Sequence, residues 1–162
     1  MASSTERMGG AGDRRLDEGP AVRTSPSQVL ALVVGAAFTV AGIAGFFVTG
    51  TDGFSDHNTG EELLGLEINP LHNIVHLGLG VLGLLLAARL ATARLYGWVL
   101  ALGYGAAFAF GLYAVDHEDS NFLSLNDADN WFHLASAAVG VLIAVLPATR
   151  AYRDRRQPAP AR

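Results

Sequence analysis

Histidine is the side chain best suited to bind a transition metal or carry a proton near neutral pH. This chain has five: His57, His72, His76, His117 and His133. His72 and His76 are four residues apart, a spacing that puts two imidazoles on one face of a helix. An asparagine stands three residues before His76 and before His133, in Asn73-Ile-Val-His76 and in Asn130-Trp-Phe-His133, so each Asn and its His share a helical face. Two chemistries suit that pattern. In one, Asn69, Asn73, His76, Asp129, Asn130 and His133 form an interhelical polar cluster whose hydrogen bonds, each about 0.6–2 kcal/mol, lock helices together. In the other, His72, His76 and His133 ligate Zn²⁺ or Cu²⁺ and Asp116 completes the set, with His117 or Asp129 as substitutes for it. A haem held between His76 and His133 is a further form of the second reading. No H-E-x-x-H stands in the chain.

The elements that would carry these residues are apolar runs. Val29 to Val48 is almost free of polar groups, and about 20 apolar residues cross a hydrocarbon core about 30 Å thick. Such a run is longer than a signal peptide's apolar region, about 7–15 residues. The other runs are 70–90, opened by Asn69-Pro70 as cap and first helical residue, then 96–115, then 130–146 closed by Pro147. Small residues recur at every fourth position in Ala37-Ala41-Gly45, Gly103-Ala107-Gly111 and Ser136-Gly140-Ala144, as on close-packed membrane helices. Tyr96, Trp98, Trp131 and Phe132 stand at run ends, where aromatic residues anchor at the membrane interface.

Charge is segregated along the chain. All eleven basic residues are arginines, and they precede the first run, lie between the second and third (Arg89, Arg94), or follow the fourth. The other two loops are acidic, with Asp52, Asp56, Glu61, Glu62 and Glu67 in one and Asp116, Glu118, Asp119, Asp127 and Asp129 in the other. Arginine-bearing loops stay in the cytoplasm, so four spans place both termini inside and the histidine cluster near the external face. Hydrophobic residues make up 51% and charged residues 16%, too few charges to clothe a soluble domain of this size. The chain has no cysteine, which removes disulfides, thiolate metal sites and cysteine nucleophiles. Neither a phosphate-binding glycine loop nor G-x-S-x-G is present, and no enzyme activity is expected.

The second and fourth runs also resemble each other. The offset that aligns Asn73 with Asn130 aligns His76 with His133, Gly83 with Gly140 and Asn69 with Asn126. The expected architecture is all-α: a polytopic membrane four-helix bundle of two tandem transmembrane hairpins, with the halves parallel. Residues 28–147 form it, between a polar, disordered tail at 1–27 and a basic tail at 148–162. The tail's RAYRDRR should attract anionic lipids; nucleic acid is not needed to explain it.

Asn69-Pro70-Leu-His72-Asn73-Ile-Val-His76, together with Asp129-Asn130-Trp-Phe-His133-Leu134, resembles an uncharacterised family of small four-span membrane proteins from high-GC Gram-positive bacteria, a domain of unknown function. The resemblance covers roughly residues 28–147. It departs at Ala135-Ser136-Ala137, where a run richer in Leu and Gly is expected. It implies the topology and no activity. The leading expectation is therefore a structural or accessory plasma-membrane protein with no cofactor. The alternatives are a Zn-, Cu- or haem-binding membrane protein and a small transporter or channel.

Overall fold

A computed structural model of the chain describes residues 24–57 and 59–148. The tails assigned at 1–27 and 148–162 lie outside these, apart from their innermost residues. Among the described residues four helices follow one another: α1 (Pro26–Thr49), α2 (Pro70–Leu86), α3 (Leu90–Ala114) and α4 (Asp127–Val145). A hairpin of two-residue strands, β1 (Glu62–Leu63) and β2 (Leu66–Glu67), and one 3₁₀ turn at Glu118–Ser120 occupy the loops.

Local chemistry sets the helix starts. Ser25 and Gln28 form a capping box at the head of α1. Asn69 caps α2 by accepting from the His72 amide at 2.8 Å, with Pro70 as the first helical residue. Asn126 and Asp129 form a second capping box at the head of α4.

The turn between α2 and α3 is shorter than the spacing of Arg89 and Arg94 predicts. It occupies only Ala87–Arg89, and Arg94 lies inside α3. Nothing between Leu90 and Tyr96 breaks a helix, so α3 begins six residues before the apolar run does. Two consequences follow. Arg94 donates to the Leu146 carbonyl at 2.8 Å, tying α3 to the end of α4. Tyr96, expected at the interface, lies about two turns inside α3 and is fully buried. Phe132 also turns inward onto the core, whereas Trp98 and Trp131 remain exposed.

The helices pack as pairs, α1 on α2 and α3 on α4, with thinner contacts between the pairs. Glycines make the pairing close. A Cβ added to Gly42 would lie 2.5 Å from the Leu77 amide nitrogen of α2, and one added to Gly140 would lie 2.5 Å from that of Ala101 in α3. Backbone approach of this kind lets membrane helices gain van der Waals contact where no hydrophobic force separates them from lipid. The outer surface is apolar, with Phe47, Leu85, Leu102 and Trp131 exposed. The helix interior, by contrast, buries Asn73, His72, His76, Asp129, Asn130 and His133. Helices α1, α3 and α4 are long and apolar enough to cross a membrane; α2, with 17 residues, is shorter. These multiple apolar helices point to a multi-pass membrane protein.

Where α2 and α4 begin, the two acidic loops clasp each other. The Asn69 side chain donates to Asp56 and Phe122 carbonyls at 2.9 and 2.8 Å. The Ser124 hydroxyl donates to Glu67 Oε1 at 2.7 Å, and the Asn126 amide donates to the Gly65 carbonyl at 3.0 Å. Asp129 Oδ2 accepts from the amides of Glu67 and Asn126 at 3.1 and 3.0 Å. Ile68 and Leu125 are sealed beneath this clasp.

Candidate metal centre

Helix α2 places His72 and His76 one turn apart on its inward face, and α4 brings His133 to them from the other pair. All three are buried, at 2, 4 and 2% exposure. Their ring centroids stand 4.5 Å apart for His72 and His76 and 6.0 Å for His72 and His133. Each offers one ring nitrogen such that the three nitrogens lie within 4.8 Å of one another. His76 Nε2 and His133 Nδ1 are buried without a hydrogen-bond partner, and the His72 ring nitrogens, beside the Glu67 and Leu123 backbone, make no hydrogen bond of good geometry. Buried polar groups are as a rule hydrogen-bonded, and leaving one unpaired costs about 1–3 kcal/mol. Poorly paired ring nitrogens on three neighbouring buried histidines therefore need a physical reason.

Tetrahedral zinc with Zn–N bonds of about 2.1 Å holds its nitrogens about 3.4 Å apart. Modest side-chain rotation would draw the three imidazoles to that spacing. An aromatic shell surrounds them: Phe38 of α1 stacks on His76 at 5.4 Å, and Tyr104 of α3 lies 5.2 Å from His133 and 5.3 Å from Phe38. Phe132 closes the ring of contacts, 6.0 Å from His76. Every helix thus contributes to the centre or to its wall.

The other residues read as site candidates go elsewhere. Asp116 is exposed beyond the end of α3 and does not join the three histidines. The same holds for His117, which stacks on Tyr113 at 4.0 Å and shares a hydrogen bond with the Tyr113 carbonyl. Asp129 spends Oδ2 on the clasp; its Oδ1 is buried without a partner, but outside the three-nitrogen group. Asn73 donates to Thr49 Oγ1 of α1 at 2.9 Å, within its own helix pair. Asn130 packs against Gly111 of α3, where any Cβ would overlap its amide oxygen, also within its own pair. Asn73 and Asn130 therefore make their contacts within their own pairs, whereas the histidines, like Asn69 and Asp129 in the clasp, meet the other pair. Phe38 and Tyr104 carry no signal in the sequence, since each is one aromatic in an apolar run.

Beside the centre lies a cavity of about 400 Å³, bounded by His72, His76, Tyr104 and His133 and by apolar residues of α2 and α3.

A family model described as a domain of unknown function, DUF4383, matches residues 28–146. Neither a curated protein nor a solved structure matches the chain.

Proposed function

The chain belongs to the DUF4383 family, and from its site we propose that it is a four-span membrane protein holding one transition-metal ion in its core through His72, His76 and His133. The observation that carries this is the convergence of three buried imidazoles, each offering one ring nitrogen within 4.8 Å of the others, where ring nitrogens of all three lack a well-formed hydrogen bond. Neutral imidazole suits Zn²⁺ and Cu²⁺. Haem fits less well, because axial imidazoles stand on opposite faces of a macrocycle and here His72 packs directly against both other rings. Three protein ligands with a fourth position left over is the pattern of a zinc site that binds a further molecule.

The proposal includes topology. Arginines precede α1, stand at the end of the α2–α3 turn and in the first turns of α3 (Arg89, Arg94), and follow α4, while the clasped loops are acidic. This supports both termini inside, two hairpins in parallel, and the metal within the outer half of the bilayer. Equivalent Asn-glycine packing in the two pairs (Asn73 on Gly45, Asn130 on Gly111) supports a tandem repeat.

Elemental analysis of protein purified through a tag without histidine tests the function. The expected result is one Zn or Cu per chain, lost in His76→Ala and in His133→Ala. Protein that folds, carries no metal and takes up none when dialysed against Zn²⁺ or Cu²⁺ would overturn it and leave the cluster a packing device.

A further inference from the structure

The cavity beside the histidines has walls of two kinds. Its inner end is His72, His76 and His133, with unpartnered nitrogens. Its outer walls are Ile74, Val75 and Leu79 of α2 and Ala107 of α3. Ile74 and Val75 are exposed on the outer surface of the bundle. Two glycines, Gly78 of α2 and Gly103 of α3, also line the cavity. Both are exposed, and a Cβ added to either would meet no atom within 4 Å. Every other helical glycine for which a Cβ would be harmless lies outside this wall, at Gly105. The seam between α2 and α3 is therefore open, where two helices of different pairs pack thinly.

Its depth decides what can use it. Gly78 lies eight residues past Pro70, about 12 Å along α2, and Gly103 eleven before Ala114, about 16 Å along α3, at a rise of 1.5 Å per residue. Both are well inside the apolar length of the bundle. On the loop side the cavity is bounded by Leu123, next to the Asn69, Glu67 and Asp129 clasp over buried Ile68 and Leu125. A molecule reaching the histidines through this seam comes from lipid.

We infer that the cavity admits a lipid-soluble molecule, entering sideways between α2 and α3, whose single oxygen or nitrogen donor takes the fourth position on the metal. A volume of about 400 Å³ is in the range of small-molecule sites, about 300–1,000 Å³, and suits one ring or one folded chain. The apolar walls hold its body; the ion holds its polar end. This rests on the metal site proposed above, and the test separates the two.

The protein in lipid nanodiscs is loaded with Co²⁺, whose visible bands report its coordination, and titrated with 1-decylimidazole. The expected result is one Co²⁺ per chain and a saturable change in its bands. Gly78→Leu and Gly103→Leu, each projecting a side chain into the open seam, should keep the Co²⁺ and weaken the response about tenfold or more. Gly105→Leu, off the cavity wall, should leave it unchanged. Failure to bind Co²⁺ overturns the metal site and this inference together. Co²⁺ binding with no response to the probe, or with a response that both seam variants leave intact, overturns the lateral site alone.

Discussion

Replacing Gly42 by alanine adds one methyl group where α1 crosses α2. Its Cβ would stand 2.5 Å from the Leu77 nitrogen, 2.8 Å from the Leu77 Cα and 2.8 Å from the Asn73 carbonyl oxygen. Favourable contacts between heavy atoms begin at about 3.5 Å, so the methyl is about 1 Å too close to one atom and about 0.7 Å to the others. All three are backbone atoms of a continuous helix, and no rotamer change relieves them. The pair must separate by close to an ångström or bend, weakening contacts along the crossing. Overpacking of this kind costs about 1–3 kcal/mol, and the lack of any movable partner puts Gly42→Ala at about 2–3. At about 2–4 °C per kcal/mol for a chain of this size, the melting temperature falls by about 4–12 °C. Gly105→Ala, which meets nothing within 4 Å, is the matched control and should not fall. Thermal melting in mild detergent, followed by size-exclusion chromatography, reads both. If Gly42→Ala melts with the parent protein, or Gly105→Ala loses as much, glycine-mediated backbone approach does not hold the pairs.

Asn73→Ala should lose about 0.6–2 kcal/mol with its bond to Thr49, and a double-mutant cycle with Thr49→Val should show that the two losses do not add. Asp129→Ala removes a side chain that accepts from the Glu67 and Asn126 amides; at about 0.5–1.5 kcal/mol for each hydrogen bond, the clasp should loosen and limited proteolysis should cut within 50–69 or 115–126 sooner than in the parent. Bound metal should leave as pH falls, because protons compete for the imidazoles and only the neutral ring ligates; metal content measured after dialysis at about pH 5 and pH 7.5 reads this, and equal retention would speak against histidine ligation. A reporter fused after Arg156 should behave as cytoplasmic and one within Asp116–Asp129 as external; the reverse would invert the topology.

Much of the scaffold can be read from local signals. Asn69-Pro70 marks the start of α2 because cap and first-turn chemistry are local, and long apolar runs mark helices because the bilayer sets their length. The start of α3 is not legible from hydropathy, since Leu90–Leu95 is helical without being uniformly apolar. In the centre, His72 and His76 declare themselves by spacing. His133 is suggested by its motif, but whether it faces them depends on how two helix pairs dock, which no local pattern encodes. Asp116 shows the converse: it stands at the right level in the sequence, yet the end of α3 leaves it exposed. Phe38, Tyr104 and the Glu67–Ser124 contact of the clasp are tertiary in origin and invisible beforehand.

The division of labour between asparagine and histidine bears on how the protein matures. Each hairpin carries its own fastening, Asn73 to Thr49 in the first and Asn130 against Gly111 in the second, so each can settle as soon as both its helices have left the ribosome. The three imidazoles are supplied by both hairpins. The first half carries only His72 and His76, so the proposed metal site would be complete only once the last helix is synthesised and the halves meet. Capture of the ion would then be the closing event of biogenesis, telling a finished molecule from one whose halves are inserted but still apart.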